Sequence, residues 1–118
     1  MDVFQDIATF QTGDAVSALG NGSTNPAILN YAADPKLIHL IDICYGGYDA
    51  GGTLTGGLLT INYGTYQAKI PFTSTGAFFI PFQIRGNPGA ALTLTLADGG
   101  NGVTAYLNAN HRTQTIPA

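Results

Sequence analysis

Glutamate and tryptophan are absent from this chain, and cysteine and methionine occur once each. With Cys44 alone, an intrachain disulfide and a cysteine-rich metal centre are excluded, and a cytoplasmic folding compartment is the natural expectation. Basic residues are almost as scarce: Lys36, Lys69, Arg85 and Arg112, scattered singly. Phosphate recognition needs a clustered Lys/Arg footprint, so nucleic acid is not an expected partner. Long apolar runs are missing too. No stretch approaches the ~18 residues of a membrane span, so no membrane is expected. The opening Met1-Asp2-Val3-Phe4-Gln5-Asp6 has no apolar run and is not expected to be a secretory signal.

Charge of either sign is thin. Seven Asp and four Lys or Arg make up 9% of the 118 residues and leave a formal net charge of −3. A folded monomer of this mass exposes ~6,000 Å², or about one charge per 550 Å². Ordinary monomer surfaces are roughly 25–35% charged residues. Part of the surface is therefore expected to be rich in Thr, Asn and Gln or covered by partners, a homo-oligomer or larger assembly being the simplest cover.

What is present reads as β-structure in a single domain. Sixteen glycines accompany abundant Thr, Ala and Asn, and strong helix formers are few. Short apolar runs recur, each bounded by Gly, Asn, Asp or Pro, as in a sandwich or jelly roll. Leu37 to Tyr45 is the strongest strand, apolar on both faces and so central or at an interface. Gly46-Gly47 and Gly51-Gly52 are expected to bracket a loop. Leu58 to Tyr63 and Tyr66 to Ile70 form a hairpin across Asn62-Tyr63-Gly64-Thr65. Ala77 to Gln83 places Phe78, Ile80 and Phe82 on one face, and Pro81 makes it an edge strand or a bulged one. Ala91 to Ala97 points Leu92, Leu94 and Leu96 inward and Thr93 and Thr95 outward. Val103 to Asn110 closes the sheet, with Val103, Ala105 and Leu107 opposite Thr104, Tyr106 and Asn108. Leu40, Ile61, Phe78, Ile80, Leu94 and Leu107 are the expected core.

Residues 1–34 are different. Val3 to Phe10, Ala15 to Leu19 and Ala27 to Tyr31 are strand candidates interrupted by Gly, Asn and Pro. They form either an arm that docks on a neighbour or an outer pair of strands, beside a sandwich core at 35–118.

Reactive chemistry finds little support. His39, Asp42 and Cys44 lie close in sequence, but regular alternation puts His39 on the face opposite Asp42 and Cys44. A nucleophile and its base must approach within about 3 Å. Cys44 reads as a small buried apolar residue, and His39 as one satisfied by a hydrogen bond at an interface. His111-Arg112 reads as a solvated strand end or a polar partner contact. The Asp residues are dispersed, and Asp98-Gly99-Gly100-Asn101-Gly102 lacks a second acid, so it reads as a turn rather than a calcium loop. No glycine cluster is followed by Lys-Ser or Lys-Thr. Neither metal nor cofactor is expected, and the chain is expected to be no enzyme. Its tyrosines suit interfaces, and those near the turns (Tyr45, Tyr48, Tyr63, Tyr66) also suit a carbohydrate surface.

A sequence of features runs from Ile38-His39-Leu40-Ile41-Asp42-Ile43, through the hairpin Leu58-Leu59-Thr60-Ile61 and Ala68-Lys69-Ile70-Pro71, to Gly76-Ala77-Phe78-Phe79-Ile80-Pro81-Phe82. Arg85-Gly86-Asn87, Ala90-Ala91-Leu92-Thr93-Leu94-Thr95-Leu96-Ala97 and Gly102-Val103-Thr104-Ala105-Tyr106-Leu107-Asn108 complete it. This order resembles the small jelly-roll virion proteins of tailed bacteriophages, including capsid cement or decoration proteins. The resemblance covers about two thirds of the chain and leaves out residues 1–34. It implies an all-β, jelly-roll-like antiparallel β-sandwich, often a homotrimer. Such a protein is made in the host cytoplasm, sits on the capsid surface of the virion and ties major capsid protein subunits together. The expected partner contacts are Phe4, Ile7, Phe10, Tyr45 and Tyr48. The alternative is a glycan-binding or host-attachment β-sandwich of the tail or fibre type.

Overall fold

The computed structural model describes residues 14–21, 26–100 and 102–117, the first of these segments by its backbone. The candidate strand from Val3 to Phe10, and with it the expected contacts Phe4, Ile7 and Phe10, lies outside the described residues. The described residues form β-strands and connecting turns, with no helix among them. The strands are β1 (Asp14–Asn21), β2 (Ala27–Tyr31), β3 (Leu37–Tyr48), β4 (Gly57–Asn62), β5 (Gln67–Phe72), β6 (Gly76–Phe79), β7 (Ile84–Arg85), β8 (Leu92–Leu96) and β9 (Thr104–Thr115).

Their pairing is nested. β1 pairs with β9, β2 with β8, β3 with both β6 and β7, and β4 with β5, all antiparallel. The chain thus behaves as one long hairpin whose tip is the β4–β5 turn. Rolling that hairpin adds two further pairings, β3 with β9 and β4 with β8. Two sheets result, one ordered β1-β9-β3-β6 with β7 also on β3, the other β2-β8-β4-β5. This is an antiparallel jelly-roll sandwich. Among the described strands, β1 and β2 lie at the edges, one in each sheet.

Alternation selects which side chains fill the space between the sheets. Ala27 and Leu29, Leu59 and Ile61, and Leu92, Leu94 and Leu96 come from the second sheet. Ile41, Cys44, Tyr48, Ile84, Ala105, Leu107 and Ala109 oppose them from the first. Small residues on β9 facing leucines on β8 let the sheets approach. Ile61, Leu94 and Leu107 are fully buried, Ile80 is 5% exposed, and Phe78 packs on the cluster half-buried.

Three expectations about the strands change. Gly46 and Gly47 are not in a loop, because β3 runs on to Tyr48, flanked by β9 and β6. A Cβ on Gly46 collides with the Tyr106 carbonyl, and one on Gly47 with the Gly76 carbonyl. Glycine here permits close backbone approach on both sides of the strand. Next, β9 extends to Thr115, so His111 and Arg112 are strand residues and not a solvated end. Finally, a bulge interrupts the β3–β9 register between Ile41 and Ile43. The extra residue, Asp42, shifts the alternation, so that Ile41 and Cys44 both point into the core.

Pro81 sits opposite that irregularity. β6 ends at Phe79, the Ile80 N–H still donates to the Cys44 carbonyl (2.9 Å), and β3 is met again only at Ile84. Proline has no N–H to continue the ladder. Of the two expectations, edge or bulge, β6 meets the first among the described strands, and the alternation fails beyond it: Phe82 is half-exposed, unlike Ile80.

Candidate functional site

Past the bulge, alternate residues of β3 face outward from the first sheet. Tyr45 lies between Phe79 of β6 and Asn108 of β9, and Gly47 lies between Ala77 and Tyr106. The three rings in these two rows are the notable feature, being 49% (Tyr45), 62% (Phe79) and 42% (Tyr106) exposed. Gly47 carries no side chain, so the surface between Tyr45 and Tyr106 drops to backbone. An open groove of about 410 Å³ forms there, lined by the two tyrosines, Gly46, Gly47, Gly76, Ala77 and Asn108, with Tyr48 and Asp49 at its end.

The groove is poor in charge. Its one ionisable carboxylate, Asp49, accepts hydrogen bonds from the backbone N–H of Thr104 (2.9 Å) and of Gly51 (3.3 Å). Those two donors, Thr104 first, hold its pKa below the usual carboxylate value. One of its oxygens, Oδ1, is therefore engaged by the chain's own turns. Charge on this face gathers at the far end, where Arg112 donates to Asp42 from Nε (2.6 Å) and Gln83 donates to the same carboxylate (2.6 Å). Arg85 donates to Gln114 nearby (3.0 Å). The outward face thus has an aromatic end and a salt-bridged end.

Of the expected contacts, Tyr45 is where a partner can reach it and Tyr48 is not. Tyr48 is 3% exposed, and its ring points between the sheets. Its hydroxyl donates to the Ala97 carbonyl (2.6 Å) and accepts from the Leu58 N–H (3.3 Å). The assignment of Tyr48 as a contact is corrected. The two glycines before it hold it in a strand, and the bulge sets it facing inward. Tyr106 and Phe79 were not singled out from the sequence. The signal was there for both: Tyr106 stands on the outward phase of its strand, and Phe79 alternates with Phe78 and Ile80.

The reactive residues are kept apart. Cys44 is 1% exposed, and burial pushes its thiol up to about 12, so it stays protonated. The bulge brings His39 and Cys44 onto the same face, contrary to simple alternation. They are still five positions apart along an extended strand, on the order of 15 Å. His39 instead meets His111 (Nδ1 to Nε2, 2.9 Å) and the Ala32 carbonyl (Nε2 to O, 2.7 Å). A carbonyl only accepts, so Nε2 of His39 carries the proton of that bond. Tyr31 stacks on His111 with centroids 3.8 Å apart. This histidine pair ties β2 of one sheet to β3 and β9 of the other by hydrogen bonds within the chain. Among the described residues no three His, Cys, Asp or Glu side chains converge as a metal site. No family model, curated protein or solved structure matches the chain.

Proposed function

We propose that this protein is a non-enzymatic structural module, a capsid-decoration protein that seats the aromatic end of its first sheet on a protein shell. The observation that carries the reading is the cluster of outward rings, Phe79 and Tyr45 in one row and Tyr106 in the next, on one sheet face. Exposed aromatic clusters of this kind mark docking surfaces, because such rings bury much area at little entropic cost. The docked molecule is a homotrimer bridging neighbouring major capsid subunits. Each copy contributes modest affinity, and many copies sum to a large stabilisation. The mechanism needs area and shape, and it uses no reactive group.

The purified protein is expected to co-sediment with intact capsids and to run as a trimer in light scattering. Failure to bind capsids removes the decoration role, and a monomer at high micromolar concentration removes the trimer. A glycan-binding role is the second reading, favoured by the open tyrosine faces on either side of the groove. Saturable binding on a glycan array supports it, and a blank array counts against it.

A further inference from the structure

Away from the aromatic cluster, the histidine pair has a property that the docking surface does not use. His39 is 6% exposed. Its Nδ1 lies 2.9 Å from Nε2 of His111, and the two ring centroids are 5.1 Å apart. Its Nε2 donates to the carbonyl of Ala32, just past the end of β2 (2.7 Å). His111 in turn stacks on Tyr31, the last residue of β2, at 3.8 Å. Each ring of the pair thus holds one contact with the end of β2. That strand pairs only with β8 among the described strands.

A bond between two imidazole nitrogens holds one proton, because one nitrogen donates and the other keeps its lone pair. A neutral pair meets that condition, and so does a pair with one added proton, whichever ring bears it. With two added protons both facing nitrogens carry N–H. The bond is then gone, and like charges face each other away from water.

The surroundings leave that limit in place. From β2 the facing titratable group is Tyr31, which is uncharged in the histidine range. On β1, Asp14 stands opposite His111 in the register. An acidic residue at that position favours a first added proton on the pair and leaves the one-proton limit of the bond unchanged. In the β2–β3 connection, Asp34 accepts the Lys36 N–H (2.9 Å). Arg112, next to His111, binds Asp42 on the outer face. Gly86, whose N–H donates to the His39 carbonyl (2.8 Å), brings no charge.

We infer that His39 and His111 form an acid-sensitive clasp on the end of β2. It is closed with at most one added proton and opens when both rings are charged, because one ring must then leave. If His39 leaves, the bond to Ala32 is lost. If His111 leaves, the stack on Tyr31 is lost. Either way the end of β2 loses a tie to the first sheet, whatever the aromatic face binds. The unfolded chain takes up both protons where the closed clasp takes up at most one. Stability therefore falls as pH drops through the histidine range, roughly pH 8 to 5.

Imidazole and backbone-amide NMR of the full chain, titrated across that range, tests the clasp. The two histidines are expected to protonate in two separate steps. The amide signals of Tyr31 and Ala32 are expected to move or broaden with the second step, while those of Tyr45, Phe79 and Tyr106 hold. In chemical denaturation, wild type is expected to lose stability relative to His39→Gln and His111→Gln as pH falls. Losses common to all three proteins, such as that of Asp49, cancel in this comparison. Simultaneous protonation of the two rings with Tyr31 and Ala32 unmoved overturns the inference. So do changes at Tyr45 and Tyr106 as large as those at Tyr31, or stabilities that run parallel in wild type and both variants. The wild-type titration decides the matter even where a variant fails to fold.

Discussion

Tyr48 is held at both ends, its ring in the core and its hydroxyl between two backbone groups from the second sheet. Tyr48→Phe keeps the ring and strands the Ala97 carbonyl and the Leu58 N–H. It is expected to cost about 1–3 kcal/mol in chemical denaturation. Cys44 makes a different prediction, through pH. Its folded pKa is raised by burial from the ordinary 9.0 to about 12. A raised folded pKa means that the stabilisation is complete below the unfolded value and is lost as pH rises through the folded one. Stability should therefore fall between about pH 9 and pH 12, and Cys44→Ala should flatten the first part of that fall in denaturant titrations across pH. Tyr48 and Tyr63, whose hydroxyls are also raised chiefly by burial, add to the loss above pH 10. Asp49 acts in the opposite direction. Its depressed value stabilises the folded state above the ordinary carboxylate range and ceases to do so in acid.

Among the elements, β8 was the most legible from sequence and the middle of β3 the least. Leu92-Thr93-Leu94-Thr95-Leu96 alternates strictly, and the structure buries each leucine completely. Gly46-Gly47 looked like a loop because glycine is a poor strand former. Its role depends on the Tyr106 and Gly76 carbonyls, which are distant in sequence. The bulge at Asp42 was hidden for the same reason, since a register shift exists only in the pairing of two strands. The last residues of β9, from His111 to Thr115, are too polar to show a pattern and are strand because β3 pairs along them, with β1 reaching His111. Tyr45 is legible as a contact candidate, but the side that Tyr48 faces depends on the bulge and on glycines whose strand role is set by distant carbonyls. The sheet edges carry their own prediction. β5 pairs only with β4 among the described strands, and its exposed positions include Lys69 and Pro71. A charge and a proline on an edge oppose pairing with another chain. Lys69→Val combined with Pro71→Val is therefore expected to raise the aggregation rate in light scattering while leaving the monomer folded.

At the scale of the whole molecule, the scarcity of charge now has two sources. The outer face of the second sheet carries the rows Asn30–Thr93–Asn62–Gln67 and Ile28–Thr95–Thr60–Lys69. Apart from Lys69 and the half-exposed Ile28, uncharged polar side chains hydrate those rows, and Thr93 donates to Asn30 within them (2.8 Å). That composition lets most of the face meet water without charge. The aromatic end of the first sheet is where a partner is expected, because three large rings there are left to water. The nested pairing that builds the jelly roll brings β6, β3 and β9 side by side, so residues 79, 45 and 106 meet only in the folded chain.

Co-sedimentation with intact capsids, comparing the wild-type chain with a Tyr45→Ala, Phe79→Ala, Tyr106→Ala triple variant, tests the docking surface most directly. The wild-type chain is predicted to pellet with capsids and saturate, while the variant keeps its fold and stays in the supernatant. Equal pelleting of the two proteins contradicts the account.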